Sequence, residues 1–382
     1  MTGSAVTRVW RTYVGGSAMA AVFATGLWTA QPAVLAQQSA VAPAPASTLP
    51  AKLSDADFWK LASDISEPGG YFRITDNYTS NENEVGRMFT MLRERKVTGG
   101  VYLGVGPEQN FSYIAATQPD MAFVIDIRRQ AVIQHLMFKA AFELSKDRAD
   151  FISILFSKPR PAGVDTAAPI QALWNAFFAT PTDQALAARN RDKILAHLTK
   201  VRKFVLTPDE ISQLDTVLSA FVQFGPGITT RGAGGGGNTV TFADLTGWSV
   251  DANSQVQSFM STEENFKIVK ALHDKNLIVP VSGDFGGTKA LRAIGAYLTE
   301  RNAPVNAFYV SNVEQYLFMD NKAGEFYANV ATMPLSSSSV FIRPYALRRY
   351  SGPAALCGIT AYLKAAAEGR IMNNNQSLEC IN

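Results

Sequence analysis

The chain has 382 residues, of which 47% are hydrophobic, 18% charged and 10% aromatic, the make-up of a folded globular protein rather than a disordered or collagen-like one. A chain of this size buries roughly three quarters of its unfolded surface, so one large core, or two fused ones, needs no staple. Lys and Arg number 35 against 32 Asp and Glu, a net charge of +3, too weak a footprint to hold a nucleic-acid backbone.

Residues 1–36 carry Arg8 and Arg11 and no acid, then an apolar run from Val14 to Trp28, then Gln31-Pro32-Ala33-Val34-Leu35-Ala36. That order predicts a secretory signal peptide cleaved after Ala36, and a periplasmic or secreted protein. Gly15, Gly16 and Gly26 interrupt the apolar run, which falls short of the roughly 20 residues that span a bilayer; left uncut, it would instead tie the chain to a membrane. The mature chain then has 33 basic against 32 acidic residues. Residues 37–53, rich in Ala, Pro, Ser and Gln, read as a flexible linker.

Ser54-Asp55-Ala56-Asp57 opens an amphipathic helix with Phe58, Leu61 and Ile65 inward. Glu82 and Glu84 follow Ser80-Asn81 at a second helix start, where acids offset the dipole; capping is their reading, with a substrate contact as the alternative. From Gly99 an apolar run ends in Gly104-Val105-Gly106, and an amphipathic segment, Phe111 to Thr117, follows. A second apolar run, Met121 to Ile125, ends on Asp126 and precedes a helix from Arg128 to Leu144. Strands apolar on both faces that alternate with helices predict an α/β fold, a mostly parallel sheet with helices on both faces. Arg128 and Arg129 oppose the dipole at their helix start, which points to an anionic partner or a salt bridge, while His135, among Val132, Leu136 and Phe138, reads as structural.

Residues 146–275 read as a large helical insertion in one α/β domain that spans 54–350. Inside it Thr207-Pro208-Asp209-Glu210 and Ser261-Thr262-Glu263-Glu264 have the pattern of capping boxes. The run Gly232-Ala233-Gly234-Gly235-Gly236-Gly237 lacks the Gly-Lys-Ser/Thr ending of a P-loop and reads as a mobile loop. A third strand, in the run Asn276 to Gly287, contains Pro280, which removes a ladder donor and places the strand near an edge or at a bulge. Helix Thr288 to Arg301 and a fourth strand, in the run Val305 to Glu314 that finishes in polar residues, complete the pattern. Residues 351–382 read as a C-terminal tail that a Cys357–Cys380 disulfide would pin in an oxidising compartment; two separate buried thiols are the alternative for a chain that is not exported. His135, His197 and His273 are scattered and no Cys-x-x-Cys occurs, so no metal site is expected, and no Gly-x-Ser-x-Gly elbow marks a serine hydrolase.

Ligands of open α/β sheets sit beyond the carboxyl ends of the strands, so four strand ends nominate one site: Gly104 to Asn110, Asp126, Asp284, and Ser311 to Glu314. Residues 96–145 and 276–318 resemble a class I S-adenosylmethionine-dependent transferase, with a Rossmann-like fold. That resemblance implies that Gly104 and Gly106 form the loop where backbone approaches the cofactor. It further implies that Asp126 meets the ribose hydroxyls, that Asp284 lies at the adenine end, and that Asn312 and Glu314 face the substrate as catalytic residues. Two departures stand out: Tyr102 and Leu103 occupy the place of the family's acid before the loop, and Glu108 replaces its third glycine. A carboxylate at 108 repels phosphate but accepts from a cationic amino group, which suits S-adenosylmethionine better than NAD. The stretch from Asp126 to Phe156 is similar to the 3-amino-3-carboxypropyl transferases of betaine-lipid synthesis. Tyr78 to Glu82, Gly104 to Pro107 and Ser311 to Leu317 together resemble a bacterial family of exported proteins that has no assigned reaction. The expectation is a methyltransferase-like exported protein that binds a small nucleoside-type molecule and transfers a methyl or aminocarboxypropyl group. Its alternative is a non-catalytic ligand-binding or envelope protein that keeps the fold.

Overall fold

The computed structural model describes residues 46–74, 76–232, 239–344, 346 and 355–377. The expected signal peptide, most of the linker, the glycine run from 233 onward and Cys380 lie outside the described residues. Six strands form one sheet: β1 (Val101–Val105), β2 (Met121–Asp126), β3 (Ile278–Ser282), β4 (Val305–Tyr309), β5 (Leu335–Ile342) and β6 (Leu356–Gly358). Their order is β3-β2-β1-β4-β5-β6, parallel from β3 to β5, with β6 antiparallel on β5. This is a Rossmann-like α/β fold whose strand order reverses between β1 and β4. Pro280 is tolerated because β3 is an edge strand.

Helices α1 (Asp55–Ile65), α2 (Val85–Glu94), α3 (Gln109–Thr117) and α4 (Arg129–Leu144) accompany the first two strands. The insertion supplies α5 (Arg148–Phe156), α6 (Ile170–Ala179), α7 (Gln184–Ala196), α8 (Pro208–Phe224), α9 (Phe242–Gly247) and α10 (Glu263–Asp274), with a π-helical turn, His197–Val201, after α7. It shares the core with the sheet: Phe138 of α4 meets Phe221 of α8 edge-on at 5.7 Å, and Phe221 continues to Phe156 at 5.7 Å and to Phe242 at 6.2 Å. The described residues accordingly form one compact unit.

Ser54 accepts from the Asp57 amide to start α1, and Thr207 and Glu210 form a complete capping box on α8. Thr262 is the cap of α10, but its third position is Asn265 rather than a glutamate, so the expected box is a single cap. Arg128 and Arg129 have found acids, Asp126 at 2.9 Å and Glu210 at 2.7 Å.

One cluster of charge is buried between α4 and the π-turn. His197 Nε2 lies 2.6 Å from Glu143, whose other neighbours are Lys139 at 2.8 Å and Arg202 at 2.7 Å. Burial alone would raise the Glu143 carboxyl, but the His197 hydrogen bond and the two cations overturn that and hold it at about 2.

After β4 come α12 (Val313–Met319) and α13 (Ala323–Val330), and α14 (Ile359–Ala367) follows β6; α11 (Ala290–Thr299) links β3 to β4. The supposed tail is thus partly core. Leu356 and Cys357 extend the sheet and Tyr362 is fully buried, because a short antiparallel strand covers the open edge of β5. Cys357 is disulfide-bonded, and Cys380 lies outside the described residues. Among the described residues no helix is long and apolar enough to cross a membrane.

Candidate functional site

The carboxyl ends of β1, β2, β3 and β4 open into one cleft of about 190 Å³. Gly106, Asp126, Asp284, Ser311 and Asn312 all line it, so the four strand ends singled out in the sequence meet. The segment between α1 and α2 lies over them and contributes Phe72, Ile74, Asn77, Ser80 and Asn81 as the facing wall. It is tied down by Gly70 N–H donating to the Ile127 carbonyl at 2.7 Å and Tyr78 N–H donating to the Thr230 carbonyl at 3.0 Å. Across the cleft mouth Phe72 meets Tyr316 of α12 edge-on at 4.8 Å, and Arg73 lies 5.2 Å from that ring and 3.7 Å from Asp320.

The turn after β1 is braced from within. Asn110 Nδ2 donates to the carbonyls of Val105 (3.0 Å), Gly106 (3.1 Å) and Pro107 (2.7 Å), and its Oδ1 accepts from Tyr102 at 3.0 Å. His135 Nε2 lies 2.8 Å from the Gly106 carbonyl, so that nitrogen carries the proton; burial lowers the ring's pKa and keeps it neutral. Gly106 takes φ +76°, a conformation that favours glycine. Gly104 has a different reason: a Cβ there would stand 1.9 Å from Asn110 Oδ1.

Two acids face the cleft, each with a cation. Asp126 Oδ1 accepts from Arg128 N and Nε, both at 3.0 Å, and its Oδ2 accepts from Arg128 Nη2 at 2.9 Å. A carboxylate has about four acceptor positions, so these bonds leave one, on Oδ2. Asp284 accepts from Gly286 N at 2.9 Å and from Lys322 at 2.6 Å. Its neighbour Glu67, from the segment after α1, accepts from Ala290 N at 2.9 Å and supplies the negative charge at the start of α11.

A chain of polar side chains runs beneath the β1–β4 junction. Glu82 accepts from Tyr309 at 2.8 Å, from Ser311 at 2.6 Å and from Gln109 at 3.2 Å. Ser311 holds φ +47°, an uncommon conformation for a residue with a side chain, and the Glu82 contact is what it gains there. Tyr309 and Ser311 have therefore given their hydroxyl hydrogens to Glu82 and can offer a ligand only lone pairs. Glu108 lies behind, accepting from Thr79 and from Ser80 N at 3.1 Å, and burial raises it to about 7 against the pull of those neutral donors.

Residues 78–203 and 246–365 match a family described as a domain of unknown function, DUF7790. The chain belongs to that family. No curated protein matches it. The two spans matched to DUF7790 hold Ser80, Gly106, Asp126, Asp284 and Ser311, while Phe72 and Ile74 of the facing wall lie before the first.

Three residues expected at the ligand do not line the cleft. Gly104 makes room for Asn110 inside the turn. Glu108 turns to Thr79 and Ser80. Glu314 points beneath α12, where Arg343 grips it with Nε at 2.7 Å and Nη2 at 2.9 Å and Tyr327 donates at 2.8 Å, an enclosed pair with no route to acid/base work. Glu82 is the reverse case: Glu84, not Glu82, stands at the α2 cap position, without a side-chain cap bond, and Glu82 organises the cleft wall. Its buried partners Tyr309 and Gln109 read in the sequence as plain strand and helix residues, and only the Ser80-Asn81-Glu82 run beside a helix start marked the place.

Proposed function

We propose that the cleft binds a nucleoside-type small molecule, S-adenosylmethionine or a close relative, and that the protein is an exported methyltransferase-like transferase. The observation that carries this is the acceptor character of the cleft: the free lone pair of Asp126 on one side, and Tyr309 and Ser311, their hydrogens held by Glu82, on the other. A ribose diol and an ammonium group are donors that fit such walls. A pyrophosphate fits badly, because the start of α3, where it would dock, already lies beside Glu82 and Glu108. Asp126, Gly106, Asp284, Tyr309 and Ser311 would hold the molecule, which supplies an electrophilic carbon on sulfonium. The chain's own contribution is to bring an acceptor into line and exclude water. Melting the protein with S-adenosylmethionine and with S-adenosylhomocysteine tests this: a ligand-dependent rise in Tm that disappears in Asp126→Ala supports it, and no rise with either compound overturns it.

Glu314, locked on Arg343, favours a second reading, a ligand-binding protein without catalysis. Tight binding of S-adenosylmethionine with no turnover for amine, hydroxyl or thiol acceptors would select it. Export rests on residues 1–36, and a mature N-terminus at Gln37 in an extracytoplasmic fraction is the expected result.

A further inference from the structure

A second recess, of about 370 Å³, lies at the opposite, amino-terminal end of the sheet. Arg95, Lys96, Thr98, Asn306, Ser337 and Ser338 supply its polar lining, and among the described residues no carboxylate lines it. It exists because β5 bulges. The β4–β5 ladder pairs Val305 with Leu335 and resumes at Ala307 with Val340, so Asn306 alone stands opposite the four residues Ser336 to Ser339. The serine run closes on itself, Ser336 N donating to Ser339 Oγ at 2.8 Å and Ser338 N donating to Ser336 Oγ at 3.2 Å. Asn306 Nδ2 donates to the carbonyls of Thr98 at 3.0 Å and Gly99 at 3.1 Å, which fixes the wall.

The two cations are solvent-exposed and have no counter-charge among the described residues. Arg95 Nη1 donates to the Leu356 carbonyl at 2.7 Å, which anchors the guanidinium and leaves its other N–H groups for a partner. Lys96 occupies the position after α2 with φ 54°, where glycine is the usual residue and a side chain is costly. Neither Arg95 nor Lys96 forms an ion pair among the described residues. Adjacent unpaired cations repel, and an oxyanion seated between them and the serine hydroxyls relieves that repulsion through charge-assisted hydrogen bonds.

We propose that this recess is a second binding site, for an oxyanion of the phosphate or sulfate class, separate from the strand-end cleft. The test is calorimetric titration of the full chain with inorganic phosphate against chloride of equal ionic strength. Saturable binding is expected, weakened about tenfold or more in Lys96→Gly, the size of one charge-assisted hydrogen bond. Glycine is at ease at the positive φ of residue 96, so that variant is expected to fold at least as well as the parent. Ser337→Asp, at an exposed position, sets a like charge in the recess and abolishes binding. Lys322→Met removes a cation from the strand-end cleft and leaves phosphate binding unchanged. The proposal is overturned by non-saturable binding, by parent-like affinity in Lys96→Gly or Ser337→Asp, or by loss of binding in Lys322→Met alone.

Discussion

Glu143, between α4 and the π-turn, and Glu108, at the mouth of α3, are both buried glutamates, yet one is held at about 2 and the other raised to about 7. Burial pushes both upward. Around Glu143 a histidine hydrogen bond and two cations reverse that push, whereas Glu108 receives a threonine hydroxyl and two backbone amides, those of Ser80 and of Glu108 itself. Away from the cleft the fold neutralises its buried acid with charge. Behind the cleft it uses neutral donors and leaves an acid able to carry a proton near neutral pH.

The largest effect is expected where that contrast is broken on the charged side. Glu143→Gln leaves Lys139 buried without its anion and Arg202 with Asp55 alone, and should cost about 3–5 kcal/mol in urea unfolding at pH 7. The folded pKa lies below the ordinary 4.5, so the contribution of Glu143 is present above pH 4.5 and is lost as pH falls towards 2. A cost that does not shrink on acidification would contradict the assignment.

Glu108→Gln probes the neutral side. The folded pKa is raised from 4.5 to about 7, so the stability tied to Glu108 is present below pH 4.5 and lost as pH rises through 7. The amide keeps an acceptor and cannot ionise; it should therefore stabilise the protein by up to about 3 kcal/mol at pH 8 and by little at pH 4.5, at about 1.4 kcal/mol per pKa unit. Equal effects at the two pH values would remove the distinction between the glutamates.

Smaller effects divide the β1–α3 turn itself. Gly104→Ala drives a Cβ to within 1.9 Å of Asn110 Oδ1 and should cost about 2 kcal/mol through overpacking. Gly106→Ala meets nothing nearer than 4.0 Å and should cost about 1 kcal/mol from its positive φ alone. Thermal melts that reverse this order would refute the reading of Gly104 as the packed member of the pair.

Much of the sheet was legible. The runs at 101–105, 121–126, 278–282 and 305–309 are apolar on both faces and end in glycine or polar residues, which is how buried parallel strands announce themselves. Strand β5 was not read, because Ser336 to Ser339 conceal its alternation and the bulge takes them out of the ladder. The last strand, β6, has only three residues, too few for a period. In the site, Asp126 and Asp284 were legible because strand ends fix where a side chain can go. Glu314 misled because it lies in the first turn of α12, where α-helical periodicity, not distance from the strand end, decides which face it takes. Glu82 lies 27 residues from its partner Gln109 and 229 from Ser311, separations that no local pattern can bridge.

The segment carrying Phe72 and Arg73 gives the cleft a threshold as well as a wall. It meets α12 through an edge-on ring contact and a solvent-exposed ion pair, Arg73 with Asp320, which dissolved salt weakens. Traffic through this mouth should quicken with ionic strength even where equilibrium occupancy stays level, so residence time, measured by stopped-flow dilution, is the quantity on which those two residues leave their mark.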